Sequence, residues 1–377
     1  MTEVIQTTAA PATALAEHLT RSGSASSPNL VAYLGALTPQ QLDATDTETG
    51  ALLSGAAVHD LGWLRHIAVR CEDRFRWLSG MVTNAVESLP DQTGAYNLVL
   101  NAQGRIQGDG YVWRNGDSLE IEITAEQSEA LLAHFDRFII MDDVELVPLS
   151  GQSALGVTGP KSNETLSALG LETSGEELSV ATGKVAGIPV QLHRSYGTIV
   201  PHYQIWVASE EIPAIWKALA AAGATQAGAA SLEVLRVVEG IPAYGIDIQS
   251  RDLAQETSQM RAISFTKGCY LGQEIVERIR SRGQVHRHLR ALELTAEPGA
   301  PLPAVGAELR IATAVPDAKS AGALTSVTSV PIGGVQRVFA IAMIRAEAEV
   351  GNQPLQYPGG TARILHTPPN LTPAQGQ

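Results

Sequence analysis

The sequence predicts an α+β fold that ends in a small all-β barrel or sandwich. Strand patterns between residues 96 and 124 follow one another across short turns, so neighbouring strands are expected to pair as hairpins. Helical patterns come in groups and do not alternate with single strands, which argues against a doubly wound sheet. After about Val285, short strands are separated by Gly and Pro, which is typical of a barrel or sandwich.

The hairpin region carries the clearest local signals. In the stretch YNLVLNAQGRIQGDGYVWRNGDSLEIEIT, apolar residues alternate along the strands, and Asn115-Gly116 is a strong two-residue turn signal. Thr124 and Gln127 have the spacing of a capping box, which predicts the start of a helix. The apolar face of that helix comprises Leu131, Leu132, Phe135 and Phe138.

Mixed elements continue to the end of the α+β region. The stretch ALGVTGP predicts a strand and a turn, residues 161–169 predict a helix, and HYQIWVA predicts another strand. A further helix is expected to start near Ser209. Ser231 is predicted to cap a short helix, LEVLRVVE, that ends at Gly240.

Two polar tails flank two folded regions. The composition of residues 1–30 predicts a disordered N-terminal tail, and that of residues 367–377 predicts a disordered C-terminal tail. Residues 31–284 are predicted to form the α+β region, and residues 285–366 the all-β domain. The boundary is expected near Gln284.

Charge and cysteine content exclude several classes of protein. The 377 residues include 26 Lys and Arg against 39 Asp and Glu, a net charge of −13, whereas nucleic-acid-binding proteins are usually basic. The two cysteines, Cys71 and Cys269, are too few for a disulfide framework or for a zinc or iron–sulfur site made by this chain alone. No signal peptide or membrane-spanning window is evident. We therefore expect a cytoplasmic protein that binds neither nucleic acid nor membrane.

The stretch KGCYLGQE, Lys267 to Glu274, is the first candidate for chemistry. Lys267 lies two residues from Cys269, and a nearby cation favours the reactive thiolate form of a cysteine. Tyr270 adds a polar aromatic group. The alternative is a cysteine that packs as a small apolar side chain. Cys71, in VRCEDRF, is interpreted as structural or surface.

Three other segments carry candidate binding groups. Asp109 lies between two glycines, where a ligand with an N–H-rich ring could approach closely, although Asp and Gly are also common in turns. The loop GMVTNAV could bind a ligand through Asn84, or be an ordinary helix exit. The basic run of residues 277–290 could bind carboxylates or phosphates, or be a solvated linker.

Several of these segments together resemble one family. LRVVEGIPAYGIDI at 235–248, KGCYLGQE, and a β-rich C-terminal region with GALTSV are similar to the YgfZ family of folate-binding proteins. That family is related to the aminomethyltransferase, or T-protein, of the glycine cleavage system. The resemblance covers about residues 60–363; KGCYLGQE is its most specific motif, and TNAV and NAQGRI are weaker ones.

The resemblance implies three domains in a ring around a cavity that holds tetrahydrofolate or a one-carbon derivative. The α+β region would contain two intertwined subdomains, and the last domain would be a barrel. The implied role is assembly or repair of iron–sulfur clusters in other proteins, with an indirect effect on cluster-dependent tRNA modification. The implied partners are folate and iron–sulfur client or assembly proteins, and the protein would be an assembly factor more than an enzyme.

The resemblance also implies site residues. Cys269, with Lys267 and Tyr270, would be a thiol site beside the folate cavity. Asp109 or Asn101 would meet the N–H edge of the pterin, and Arg236 or the basic run would bind the carboxylates of the tail. The residues expected around folate are Trp63, Met81, Val82, Thr83, Asn84, Leu100, Asn101, Asp109, Arg236 and Tyr270.

Two departures separate this chain from the T-proteins. The Asp-Asp pair of T-proteins corresponds here to Gly108 and Asp109, and the segment RSYGTIVPHYQIWV lacks the acid of the matching stretch. Both departures argue against methylene transfer in the T-protein manner. The alternatives are an aminomethyltransferase or other one-carbon transfer enzyme that depends on Asp109, and a folate-sensing module in which Cys269 is dispensable.

Overall fold

The computed structural model describes residues 10–21, 28–173, 175–312, 320–350 and 354–371. The helices are α1 (Ala14–Arg21), α2 (Thr45–Ser54), α3 (Arg74–Met81), α4 (Ala125–Asp136), α5 (Ser162–Ala168), α6 (Ile212–Ala221), α7 (Ala229–Val238), α8 (Gln273–Arg282) and α9 (Ala346–Glu349). The strands are β1 (Leu30–Tyr33), β2 (Ala36–Pro39), β3 (Ala57–Asp60), β4 (Leu64–Arg70), β5 (Thr93–Leu100), β6 (Ile106–Asn115), β7 (Ser118–Thr124), β8 (Glu145–Pro148), β9 (Gln152–Thr158), β10 (Val180–Val185), β11 (Ile188–Ser195), β12 (His202–Ala208), β13 (Thr225–Ala227), β14 (Arg287–Ala296), β15 (Glu308–Ile311), β16 (Ser320–Ile332), β17 (Val335–Arg345), β18 (Leu355–Tyr357) and β19 (Gly360–Leu365).

The first sheet is antiparallel and has the strand order β5-β6-β7-β4-β8. Its hairpins confirm the turn predicted at Asn115-Gly116, because β6 and β7 pair up to Asn115 and Ser118. Helix α4 begins directly after Thr124, as predicted. Its Leu131 and Phe135 side chains are fully buried against the apolar face of this sheet.

The second sheet has the order β10-β11-β12-β9-β3-β13, antiparallel except for the β3–β13 pair. Helices α1 and α6 cover its apolar face. Leu15 of α1 is fully buried there, so the predicted disorder of residues 1–30 is wrong for Ala14–Arg21. The predicted cap of α7 is also wrong: Gly228 lies at the N-cap, and Ser231 donates a hydrogen bond to Glu48 instead.

The opposite faces of the two sheets meet each other through polar and aromatic side chains. His66 of β4 stacks on Trp206 of β12, with ring centroids 3.7 Å apart. Gln204 of β12 donates a hydrogen bond to Glu122 of β7, at 3.0 Å. This interface is therefore a hydrogen-bonded layer within the folded core.

The last strands form a closed antiparallel barrel in the order β14-β17-β16-β15-β18-β19, with β19 pairing back to β14. The α+β fold with a C-terminal β-barrel is thus confirmed. The barrel starts at Arg287, and the boundary near Gln284 stays a prediction. In the tail predicted for residues 367–377, the Asn370 carbonyl accepts a hydrogen bond from Arg337, so the described part of this tail lies against the barrel; residues 372–377 lie outside the described ranges, as do residues 1–9 and 22–27 of the N-terminal tail.

No helix in the described ranges is both long enough and apolar enough to cross a membrane.

Candidate functional site

A cavity of about 220 Å³ lies where the polar face of the first sheet meets the loop after α7. The strands place Asp109 and Tyr111 on the same face because side chains alternate along β6. Its polar and aromatic lining comes from Tyr96, Asp109, Tyr111, Glu122, Thr124, Gln127, Tyr244 and Arg261. The cavity therefore combines flat rings with a few convergent polar groups, as ligand sites usually do.

Asp109 is held by two neutral donors. Tyr96 donates a hydrogen bond to Oδ2 at 2.6 Å, and the Gln127 amide donates one to Oδ1 at 3.0 Å. The Asp109 backbone N–H in turn donates to Gln127 Oε1 at 2.9 Å, so the glutamine clamps the residue from both sides. Burial raises the pKa of Asp109, although both hydrogen bonds oppose this shift. A carboxyl group with a raised pKa is suited to proton exchange near neutral pH.

Gln127 replaces the capping box that the sequence predicted. Thr124 occupies the N-cap position but makes no capping hydrogen bond to the helix backbone. The Gln127 amide is drawn instead toward Asp109, and it also contacts the Thr124 hydroxyl at 3.1 Å. The spacing thus marked the helix start correctly, while the glutamine side chain has a tertiary role.

Arg261 supplies the positive charge of the cavity. Its guanidinium lies between two rings, 4.1 Å from the centroid of Tyr96 and 3.8 Å from that of Tyr196. It donates a hydrogen bond to the Tyr111 hydroxyl at 3.3 Å. Within the described residues, no carboxylate lies at ion-pair distance from Arg261. A sheltered arginine without an anionic partner is a ready site for an anionic ligand group.

Of the residues that the sequence predicted around folate, Asp109 lines this cavity. Trp63 lies nearby but packs edge-on against Tyr33, with centroids 4.9 Å apart. The other apolar candidates, Met81, Val82 and Leu100, are buried in the hydrophobic core. None of these three side chains lines the Asp109 cavity.

The remaining polar candidates stabilise the local backbone. The Thr83 hydroxyl donates to the Ala262 carbonyl, and the Asn84 amide donates to the carbonyls of Tyr96 and Arg261. Asn101 accepts hydrogen bonds from two backbone N–H groups in its own turn. Thr83 and Asn84 therefore anchor the loop that presents Arg261.

Arg236 does not reach the cavity. It forms ion pairs with Glu233 at 2.6 Å and with the buried carboxylate of Asp247 at 2.5 Å. Its guanidinium is therefore neutralised inside the protein. Glu233 lies one helical turn before Arg236, whereas Asp247 is brought to it by tertiary packing, so the structure gives Arg236 internal partners in place of the expected folate tail.

The KGCYLGQE segment is fixed to the end of α3. Lys267 Nζ donates hydrogen bonds to the carbonyls of Ser79, Val82 and Asn84, at 2.5, 2.7 and 2.8 Å. Burial lowers the pKa of Lys267 to about 8, while the three acceptors favour its charged form. Tyr270 is buried under the ammonium group, 4.9 Å from Nζ to the ring centroid.

Cys269 is exposed, as is Cys71. The donors of Lys267 are directed at backbone carbonyls, so this lysine acts as a clamp for the segment. Neither cysteine lines the Asp109 cavity.

The basic run is largely neutralised by ion pairs. Arg287 pairs with Asp252 and Glu256, and Arg290 pairs with Glu349. A wide cavity of about 860 Å³ lies at the end of α8, but its arginines are exposed to solvent. We favour the Asp109 cavity as the site because Asp109 and Arg261 are half-buried and are held by hydrogen bonds and aromatic rings.

Sequence reasoning missed most of the cavity. Tyr96 and Tyr111 could have been found, because they face each other across the predicted hairpin, and Tyr111 shares a strand face with Asp109. Tyr244 and Arg261 come from irregular segments, whose placement depends on tertiary packing.

Comparison with known proteins decides the family. Residues 25–267 match the family model described as the GCVT N-terminal domain. The chain belongs to this family. The aminomethyltransferase of Rubrobacter xylanophilus is 28% identical over 336 residues, which cover 85% of each chain. A chloroplastic protein of Arabidopsis thaliana named as a transferase is 25% identical over 331 residues, covering 83% of this chain and 71% of its own.

A solved structure shows the same fold. The glycine cleavage system aminomethyltransferase T from Bartonella henselae superposes with a TM-score of 0.83 at 16% identity, covering 96% of this chain and 98% of its own. The predicted T-protein fold is therefore confirmed, as is membership of the aminomethyltransferase-like superfamily. The structural match establishes the fold, and the family match establishes common ancestry.

Proposed function

We propose that this chain binds tetrahydrofolate in the Asp109 cavity and transfers a one-carbon unit, as an aminomethyltransferase-like enzyme that depends on Asp109 and not on the Asp-Asp pair of T-proteins. The observation that supports this most is the presence in one cavity of a half-buried carboxyl with a raised pKa, Asp109, and an arginine held against two aromatic rings, Arg261. Membership of the GCVT N-terminal domain family and the names of the relatives support the same reaction class.

The cavity residues fit the cofactor. A pterin ring is flat and presents N–H donors, which match the rings of Tyr96 and Tyr111 and the carboxyl of Asp109. A volume of about 220 Å³ is below the usual range for whole ligands, so the cavity would hold a ring system and leave the tail outside. Arg261 would meet an oxo or carboxylate group of the cofactor.

Each residue then has a distinct task. Bound tetrahydrofolate would supply the amine nitrogens that accept the one-carbon unit. Asp109 can take up a proton from such a nitrogen, because its raised pKa brings the carboxyl closer to the working pH. Tyr96 and Gln127 orient that carboxyl, and Arg261 stabilises negative charge nearby.

Turnover measurements test this proposal. The protein is mixed with tetrahydrofolate and a panel of small aminomethyl donors, whose transferred carbon is already at the formaldehyde level, and formation of methylene-tetrahydrofolate with release of the amine is followed. We expect Asp109→Asn to lower the rate by about 100-fold or more. Asp117→Asn is the matched control, because the side chain of Asp117 is fully exposed. A wild-type rate equal to the uncatalysed rate would refute the proposal.

A second candidate function rests on Cys269. This thiol is exposed on a segment that Lys267 fixes to α3, so a partner protein can reach it. It supports the narrower YgfZ-like role, in which a folate-binding protein assists iron–sulfur cluster assembly or repair and indirectly supports cluster-dependent tRNA modification. The partners proposed here are iron–sulfur client or assembly proteins.

Cells that lack the protein separate the two functions. For the second function, the activity of an iron–sulfur dehydratase falls in such cells and is restored by the wild-type chain but not by Cys269→Ser. For the one-carbon function alone, Cys269→Ser transfers the one-carbon unit at the wild-type rate, whereas Asp109→Asn does not. Unchanged dehydratase activity in the deletion strain would refute the second candidate.

A further inference from the structure

A second buried polar cluster lies between the two sheets, next to the cavity. It contains His66 of β4, Glu122 of β7 and His193 of β11, each no more than 4% exposed and brought together from distant parts of the sequence. One potential ligand atom of each side chain lies within 4.8 Å of those of the other two. Imidazole and carboxylate groups are the usual ligands of zinc and of related divalent transition metals.

In each histidine, the ring nitrogen that points away from the centre of the cluster, here called the outer nitrogen, lies near an oxygen atom. His66 Nδ1 lies 2.8 Å from Glu120 Oε2, and His193 Nε2 lies 3.3 Å from the Gln191 side-chain oxygen. In metal sites, the non-ligating nitrogen of a histidine usually faces a carboxylate or carbonyl oxygen in this way, which leaves the other nitrogen free to bind the metal.

Each histidine has one buried ring nitrogen that makes no hydrogen bond among the described residues: Nδ1 of His193 and, although it lies 2.8 Å from Glu120 Oε2, Nδ1 of His66. His66 Nε2 lies 3.2 Å from Glu122 Oε2. When the outer nitrogen of His66 carries the proton, its inner lone pair faces a carboxylate oxygen, and that contact is favourable only with a cation between them. An unpartnered buried polar atom requires an explanation of this kind.

The charges of the cluster point the same way. Glu120 and Glu122 both face His66, and in the described part of the chain no Lys or Arg forms an ion pair with either of them. A protonated His66 balances one of the two carboxylates, whereas a divalent cation balances both. Buried charges are normally paired or coordinate a metal.

The carboxylate of Glu122 is already oriented for binding. Gln204 donates a hydrogen bond to Oε1 at 3.0 Å, and the Trp113 indole N–H donates one to Oε2 at 2.9 Å. Two indoles enclose the cluster: Trp206 stacks on His66, and Trp113 lies 4.4 Å from His193 between ring centroids. The cluster is thus enclosed by aromatic rings, and hydrogen bonds orient the Glu122 carboxylate before any ion binds.

We propose that His66, Glu122 and His193 bind one divalent transition-metal ion of the zinc type. Metal–nitrogen bonds of about 2.0–2.1 Å require the three side chains to draw closer together on loading. Glu122 also lines the Asp109 cavity, so the ion sits in the wall between the two sheets and braces one side of that cavity. This site is independent of the one-carbon chemistry proposed above.

Cobalt titration tests the proposal. Chelator-treated, tag-free protein is titrated with Co²⁺ alone, and d–d absorption and tryptophan fluorescence are recorded, followed by competition with Zn²⁺. We expect one Co²⁺ per chain, quenching of the adjacent tryptophans, and a rise in melting temperature through binding linkage. His193→Gln and Glu122→Gln should each weaken binding by about 100-fold or more, while Glu120→Gln, which removes an outer contact, should weaken it by about 10–100-fold.

Two controls make the result decisive. His288→Gln removes a histidine that pairs with Glu349 far from the cluster, and it should leave cobalt binding unchanged. Circular dichroism shows whether each variant folds. If His193→Gln or Glu122→Gln does not fold, the cobalt affinity of Glu120→Gln is used as the test instead. Absence of a d–d band in the folded wild type, or equal affinity in folded His193→Gln, overturns the proposal.

Discussion

At the scale of single residues, the surroundings of Asp109 disfavour its ionised form, which lowers stability when the carboxyl is charged and keeps it easy to protonate. Its half-buried carboxyl accepts hydrogen bonds from two neutral donors, Tyr96 and Gln127, and the nearby Arg261 forms no ion pair with it. Ionisation in such surroundings is unfavourable, since the partial charges of two hydrogen bonds replace full hydration incompletely. The folded protein therefore keeps a carboxyl group that is easily protonated.

The first prediction concerns the pH dependence of stability. The pKa of Asp109 is higher in the folded than in the unfolded chain, so the folded state binds this proton more tightly. The contribution of this proton to the free energy of unfolding is complete below the ordinary carboxyl pKa. It is lost as the pH rises through the raised pKa of the folded state. Asp109→Asn should therefore gain stability relative to the wild type between about pH 4 and about pH 7.

Urea unfolding of both proteins at the two pH values measures this effect. Asp117→Asn provides the baseline for an exposed carboxyl. A difference in the free energy of unfolding between Asp109→Asn and wild type that does not change with pH would contradict a raised pKa.

Lys267 leads to the second prediction. Replacing it with Met leaves three backbone carbonyls without their donor, and unsatisfied buried groups cost about 1–3 kcal/mol each. We expect a loss of at least about 1 kcal/mol in the free energy of unfolding, while exposed Cys269→Ser stays near wild type. Lys217→Met, at an exposed position of α6, is the matched control. An equal loss in both lysine variants would show that the clamp contributes nothing.

At the scale of elements, strand β6 links the hairpin to the site. A Cβ at Gly108 would lie 2.6 Å from Gln127 Oε1 and 2.8 Å from a methyl group of Leu131. The glycine is therefore required for the glutamine to reach Asp109. An Asp at this position, as in the Asp-Asp pair of T-proteins, would require the Gln127 and Leu131 side chains to shift.

Gly108→Ala is thus the third prediction. It should displace Gln127, misplace the Asp109 carboxyl and lower turnover by about 100-fold, because small shifts of catalytic groups are costly. Gly80→Ala is the control, since nothing lies within 4 Å of a Cβ at Gly80. Binding of tetrahydrofolate separates the effects: a turnover loss with intact affinity supports misplacement, and unchanged turnover contradicts it.

The hairpins show what sequence can predict at this scale. The turn at Asn115-Gly116 and the start of α4 after Thr124 follow from local backbone preferences, and both are found in the structure. The position of β4 between β7 and β8 has no local signal, because long-range packing decides it. For the same reason the sequence identified Asp109 but missed Arg261, which an irregular segment brings from far along the chain.

At the scale of the whole molecule, a buried polar cluster attaches the barrel to the α+β region. Asp247 Oδ1 accepts hydrogen bonds from Thr325 and Ser326 of β16, at 2.5 and 2.7 Å, and Oδ2 accepts one from Arg236. Asp247 is 2% exposed. The barrel is therefore held by a charged residue whose partners belong to both regions.

Removing Asp247 is the fourth prediction. Asp247→Ala leaves Arg236 buried with only the partly exposed Glu233 as an ion-pair partner, and breaking a buried pair typically costs about 3–5 kcal/mol. We expect a loss of this size in the free energy of unfolding, together with faster hydrogen exchange in β16. A loss no larger than that of Asp117→Ala would contradict the proposed attachment.

Calorimetric titration of the protein with tetrahydrofolate under anaerobic conditions tests the central claim most directly. The account predicts one site per chain, weakened by at least about 10-fold in Asp109→Asn and in Arg261→Met, a change of about 1.4 kcal/mol in binding free energy. Asp117→Asn should bind as the wild type does. Absence of binding to the wild type, or equal affinity in all four proteins, would show that the Asp109 cavity is not the folate site.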